Sequence, residues 1–337
     1  MTRRACYRSA AILALSSLTC GRGPMAPLAS GTAIEVGPGL HADVSGHLVV
    51  WVPYTAVGSP LNVLDLQSGR KWTLVDSGGP TQPDFPSIDG LVAAWIQATQ
   101  DTSGGFLHRI AIDSIDNEGA FLAPGDSQHH DVFPRISGDE VVWTRRTNAS
   151  AAVDLVAYNI ASGRTSVLPT QVYDLQAAVD GGQVVFARAV TGTIDSVRRS
   201  DIVLWNIGSG QLRTLSDSSA EQGSVDISGD GVVWIWHHGE AFDVVYRNVR
   251  TGQTTNITNG WGRAALPRIS GSRIVWQDDR SGDYDIYMYN LNTDREVRLT
   301  IEPGDQMRPA ISGAWVIWDD RNVSPWQVRA MQVGNTP

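Results

Sequence analysis

Seven copies of one short phrase constrain this chain more than any other feature. Each copy joins a β-branched residue, Ser or Asp, Gly, a short linker, two apolar residues and an aromatic. It reads VSGHLVVW ending at Trp51, IDGLVAAW at Trp95, ISGDEVVW at Trp143 and VDGGQVVF at Phe186. It continues as ISGDGVVW at Trp234, ISGSRIVW at Trp276 and ISGAWVIW at Trp318. The anchors are spaced by 44, 48, 43, 48, 42 and 42 residues. A period of this size signals a repeat architecture, in which one unit cannot bury its own faces alone.

The length of 337 residues would suit two domains, but propellers and barrels of this size often form one. With 34 Gly, 12 Trp and 18% charged residues, the composition suits many short strands joined by tight turns. No stretch shows a sustained 3.6-residue apolar period, so little helix is expected.

One repeat shows how the strands fall. In the sixth copy, Pro267–Ser270 reads as an innermost strand and Arg273–Asp278 as the second. Asp285–Leu291 alternates as a third, and Glu296–Thr300 reads as the outermost. A Gly recurs in the turn between third and fourth strands, at Gly69, Gly163, Gly210 and Gly252, where a positive-φ residue is required. Four antiparallel strands per repeat is the make-up of a propeller blade. The anchor aromatics are expected to fill the wedges between blades. The seventh copy has inner strands and a third strand, Gln327–Val333, but no fourth. Thr32–Val36 has the register of an outer strand, so it is expected to complete the seventh blade and close the ring.

These copies resemble the TolB-type propeller repeats of exported bacterial and archaeal proteins. The sixth, PRISGSRIVWQDDRSGDYDIYMYNLNTDREVRLT, carries the resemblance best, and the seventh keeps PAISGAWVIWDDR. The second and fourth copies are degenerate. The resemblance covers residues 31–337 and implies an all-β, seven-bladed propeller. It implies little about activity, because such repeats occur in periplasmic proteins, surface proteins, glycan lyases and the non-catalytic propellers of peptidases. No G-x-S-x-G elbow of a hydrolase domain is evident in the sequence.

Residues 1–30 read as a signal segment. Arg3, Arg4 and Arg8 precede a short apolar run, Ala10–Leu18, too short to span a bilayer. Cys20 stands where bacterial lipoproteins carry their acylated Cys; the alternative is cleavage further on, near Ala29. The segment holds four Arg and no acid, so removing them from the net charge of −9 leaves −13. An acidic body argues against sequence-independent nucleic-acid binding.

Candidate site residues fall in two groups. Asp43, Ser87, Arg135, Ala178, Asp226, Arg268 and Ala310 precede the β-branched residue of each innermost strand and are expected to line a central channel. Arg135, Asp226 and Arg268 could hold a polar ligand there, or the channel could hold water and a solvated ion pair. The loops between second and third strands should share one face with the blade-to-blade connections. Tyr54, Arg145, Arg188, Trp236, His237, Asp278 and Asp319 are expected on that face, with Arg188 and Trp236 outside the inter-blade core. The longest such loops, Ala98–Phe106 and Ala189–Ser200, would rim it. His129, His130, His237 and His238 could in principle bind a metal, but neighbours on an extended segment point opposite ways, which favours exposed loop His. The Asp-Asp-Arg triplets at 278–280 and 319–321 read as braced loops.

The resulting expectation is an exported, non-catalytic propeller without cofactor. It would be a monomer and bind an envelope or extracellular protein or glycan through its loop-rich face, touching membrane only through a lipid on Cys20. The rival reading is a propeller-based glycan lyase or hydrolase using the charged channel mouth. A purely structural envelope component is a third.

Overall fold

The computed structural model describes residues 31–53, 59–76, 82–100, 105–126, 128–147, 153–168, 172–190, 199–217, 220–260 and 262–334. Residues 1–30, Cys20 among them, and Tyr54 lie outside the described residues. Seven four-stranded antiparallel sheets make a β-propeller, and there is no helix among the described residues. The sixth blade runs Ala265–Ser270, Arg273–Asp278, Asp285–Asn290 and Arg295–Arg298, close to the expected strands.

One apolar cluster fills each of the seven junctions between blades, and an anchor aromatic sits in every one. Trp51 packs with Val36, Ala310 and Ile317 between the first and last blades. Phe186 does the same with Val153 and Leu155 between the third and fourth. All seven anchors are at most 3% exposed. Two apolar residues before an aromatic thus supply both faces of a second strand that is packed on both sides.

The Ser/Asp-Gly part of the phrase has a separate task on the opposite, tight-turn face. The Gly N–H of one blade donates to the Ser or Asp side chain of the blade before it. Gly90 bonds Ser45, Gly138 bonds Asp89, Gly229 bonds Asp180, Gly271 bonds Ser228, Gly313 bonds Ser270 and Gly46 bonds Ser312, at 2.5–3.1 Å. At the remaining junction Ser137 Oγ donates to Asp180 instead. These six Gly residues have φ of 56–58°, so the turn that aims the N–H sideways is left-handed and favours Gly.

The first strand, Ile34–Pro38, closes the ring. It pairs with Gln327–Gln332, matching Ile34 with Ala330 and Pro38 with Gln327. It lies two residues further along than the expected Thr32–Val36. A register shift between Glu35 and Gly37 absorbs one residue and carries the pairing on to Pro38. Only Gly39 then separates it from the inner strand of the first blade, and its N–H donates to Trp326 O at 2.9 Å. Lys71 of the first blade reaches across to Val36 O at 2.5 Å. Deleting residues 31–38 is expected to lower the unfolding free energy by about 4 kcal/mol or more, a loss reserved for core disruption. Urea denaturation and size exclusion check this; an unchanged midpoint for a monomer would refute the closure.

Candidate functional site

Six of the seven inner strands share a one-residue bulge near the loop-rich face, and the fourth carries a wider shift there, between Val172 and Ala177. Pairing with the second strand skips between Leu40 and Asp43, Asp84 and Ser87, Val132 and Arg135, Gly223 and Asp226, Ala265 and Arg268, and Met307 and Ala310. Inside each skip sits a non-glycine residue in the left-handed region: His41, Phe85, Phe133, Ser224, Leu266 and Arg308, with φ of 45–55°. Such a residue costs roughly 1 kcal/mol or more, and a bulge re-aims its side chain. With Gln176 these six line a cavity of about 120 Å³ at the mouth of the channel. Sequence reasoning missed this ring. Its signal was present as Phe85-Pro86-Ser87-Ile88, Phe133-Pro134-Arg135-Ile136, Leu266-Pro267-Arg268-Ile269 and Arg308-Pro309-Ala310-Ile311.

One layer deeper, the charged channel residues meet each other. Arg268 Nη2 donates to Asp43 at 3.3 Å, and Arg268 Nε lies 3.3 Å from Asp226. Arg135 sits 3.8 Å from Asp43 and 3.6 Å from Asp226. Each Asp also takes a backbone N–H from the next blade, Ile88 at 3.2 Å and Ile269 at 2.8 Å. Ser87 Oγ adds a third bond to Asp43 at 3.0 Å. Burial and the neighbouring Arg268 cation pull Arg135 below the usual arginine range, against the attraction of the two acids. The expectation of a solvated pair is therefore corrected. Both acids are only 5% exposed, and Asp43, Arg135 and Arg268 of this network line the floor of the cavity.

The wall above this floor is aromatic. His41 stacks on Phe85 at 4.0 Å and 17°, and Phe133 meets Phe85 edge-on at 4.7 Å. His41 Nδ1 lies 2.6 Å from Asp84 Oδ1, which also accepts the Phe85 N–H at 2.8 Å. The Arg308 guanidinium stands 5.8 Å from the Phe85 ring centre. Behind it, Asp319 is 1% exposed and neither carboxyl oxygen has a hydrogen bond of good geometry among the described residues. Burial pushes its carboxyl up to about 6, against His41, Arg308 and Arg321.

Strand parity explains the remaining expected residues. Arg145, Arg188, Trp236 and Asp278 all stand two positions after an anchor aromatic. Arg145 forks onto Asp131 at 2.7 and 2.9 Å. Arg188 bonds Asp201 at 3.1 Å. Asp278 holds Arg280 at 2.5 Å and the Trp276 indole N–H at 3.2 Å. Trp236, expected outside the core, packs against the apolar cluster between the fourth and fifth blades and lies 4.2 Å from the His238 ring. The 278–280 triplet is braced as expected, whereas the second triplet is not. Asp320, two after Trp318, takes Arg329 at 2.5 Å, while Arg321 lies over the Trp326 ring. Asp319 is one after Trp318, so it points to the other side, like Gln277, whose Oε1 accepts the Arg308 N–H at 2.8 Å. Asp319 is one carbon shorter than Gln.

The four His are each engaged locally. His129 and His130 begin an inner strand rather than a loop. His129 bonds Asp126 at 2.7 Å, and the His130 ring lies 5.2 Å from that of His108. His237 stacks on Phe242 and lies 3.5 Å from Glu221, and His238 bonds Asp243 at 2.8 Å. Among the described residues no three His, Cys, Asp or Glu side chains are grouped as a metal site would need. Strands bound the expected rim loops at Gln100 and Phe106 and at Ala189 and Ser200, and residues 101–104 and 191–198 between them lie outside the described residues.

No family model and no curated protein matches this sequence. Solved structures do match its architecture. The β-propeller domain of the trilobed protease from Pyrococcus furiosus is 9% identical, with TM-score 0.73 over 88% of this chain and 94% of that one. That domain has an open velcro topology, whereas the present ring is closed by its first strand. TolB from Acinetobacter baumannii is 13% identical, with TM-score 0.52 over 85% of this chain and 79% of that one. The architecture is TolB-like. An oligogalacturonate lyase in complex with manganese is 11% identical, with TM-score 0.62 over 90% and 91% of the two sequences. At these identities the likeness establishes the TolB-like fold alone.

Arg268→Met should cost about 3 kcal/mol in urea denaturation, because it leaves two buried carboxylates with one cation. Replacing all four charges by Met and Asn should recover most of that loss, and an equal or larger loss would count against the network. Between pH 3.8 and about 6 the folded protein keeps a proton on Asp319 that the unfolded chain has released. Stability therefore falls as pH rises through that window. Asp319→Asn should stabilise the protein by up to about 3 kcal/mol at pH 7.5 and change little at pH 4. Equal effects at both pH values would contradict this.

Proposed function

We propose that the chain is an exported, non-catalytic β-propeller that binds a protein or glycan partner through its loop-rich face. The observation that carries this reading is the channel mouth, an aromatic-walled cavity above a floor of mutually neutralised charges. Binding sites combine apolar walls with few polar groups in this way. The backbone distortion that turns ring residues inward recurs in blade after blade, although their side chains differ. That favours a recognition surface, since rigid blades support variable contacts. The lyase alternative would need a metal-binding His cluster, and each of the four candidate His has a local partner instead. The positive and apolar character of residues 1–30, with the resemblance to exported propellers, supports export, with residues 31–337 as the propeller and Cys20 as the residue to carry any lipid.

Site-specific photo-crosslinking tests the binding face. Ile301 is 54% exposed in the connection between the sixth and seventh blades, on the loop-rich face, and Leu91 is 49% exposed in a tight turn on the opposite face. A photoreactive residue at 301 should capture a discrete partner in cells, and one at 91 should not. Capture from 91 alone would reverse the assignment. Fractionation should find the chain outside the cytoplasm, and labelled palmitate, if it enters, should be lost in Cys20→Ala. Retention of the full-length protein in the cytoplasm would end the export reading.

A further inference from the structure

We propose that the channel mouth captures a carboxylate of a protein partner, with Arg308 as the cation that receives it. This rests on the reading of the loop-rich face as a binding surface and narrows the partner to protein. The assignment follows from which charges around the cavity are already matched. Arg135 and Arg268 are neutralised by Asp43 and Asp226. Asp84 Oδ1 is held by His41 and by the Phe85 N–H. Arg308 lines the same cavity, but among the described residues its guanidinium makes no hydrogen bond or ion pair, and its ring contact is to Phe85. Asp319 and Asp84 are near enough to favour its charge, yet neither reaches ion-pair distance. The unmatched group on the wall is therefore a donor fork, and its complement is a planar anion such as a carboxylate.

Size and surroundings define the rest of the ligand. A volume of about 120 Å³ is small beside the several hundred Å³ typical of small-molecule clefts. It admits the end of one side chain or one polypeptide terminus, not a folded-in oligosaccharide. Phe85, Phe133, Leu266 and Pro309 give that end an apolar wall. A carboxylate next to an aliphatic stem meets both features at once. The C-terminus of a polypeptide with an apolar last residue supplies this chemistry, and so does a Glu side chain.

Isothermal titration of the whole protein with four probes separates the possibilities. The probes are acetyl-Gly-Gly-Leu as free acid, the same peptide as its amide, acetyl-Gly-Glu-Gly-amide, and galacturonate. The free acid or the Glu peptide should bind at least tenfold more tightly than the Leu amide. Preference for the first identifies a polypeptide terminus, and preference for the second identifies a side chain. Arg308→Gln should remove the discrimination, while Arg308→Lys, which keeps the charge and serves if Gln disturbs folding, should retain part of it. Phe85→Leu should weaken binding of acid and amide alike. Equal binding of acid and amide, discrimination that survives Arg308→Gln, no saturable binding of any peptide, or binding of galacturonate alone would each overturn the proposal. Crosslinking from position 301 is read independently, so a partner captured there with no peptide binding would reject the carboxylate assignment and leave the binding face standing.

Discussion

Everything in this molecule depends on blades packing against each other through a wedge that no blade can fill alone. A four-stranded sheet leaves both faces apolar, and each is buried only by a neighbour on either side. The anchor aromatics fill the gap, with Trp51, Trp143 and Trp276 almost wholly buried. Polar bonds from Gly N–H to the preceding blade's Ser or Asp then set the spacing at the tight-turn face. A ring built this way must close, because an unclosed junction would expose Val36, Trp51, Ile317 and their neighbours together. The strand Ile34–Pro38 meets that need by belonging to the last blade while leading directly into the first.

The same closure creates the site. Seven inner strands converge on one axis, and each shifts register against its second strand near the loop-rich face. The shift separates two layers with different tasks. The deeper layer, Asp43, Arg135, Asp226 and Arg268, neutralises itself and bridges four blades. The upper layer, including His41, Phe85, Phe133 and Arg308, faces the loop-rich side and is free to differ from blade to blade. Asp319 stands at the seam between the last and first blades, where burial rather than a partner governs its charge.

The sequence repeat revealed the blade count, the strand order and the inward set of charges, because each reflects a local pattern of period two or a turn requirement. It was less informative about which charged residues were available. Arg145, Arg188 and Asp278 looked exposed because they are charged and near loops, but each braces a blade end two residues after its anchor. Asp319 and Asp278 belong to matching triplets, yet a one-residue offset from the anchor Trp sends them to opposite sides. That offset is visible in WQDDR against WDDR, once the anchor is used as origin.

By itself, then, the sequence determined a closed ring of seven blades, since periodic apolar pairs, anchor aromatics and Ser/Asp-Gly turns are properties of each repeat taken singly. Only the tertiary structure decided how the channel is used. Residues separated by 44 to 225 positions meet there, as Ser87 meets Asp43 and Arg268 meets Asp43. Whether an Arg is neutralised, like Arg135, or left without an acid at ion-pair distance among the described residues, like Arg308, depends on distances across the ring. No repeat contains that information, because it arises only when all seven inner strands face one axis.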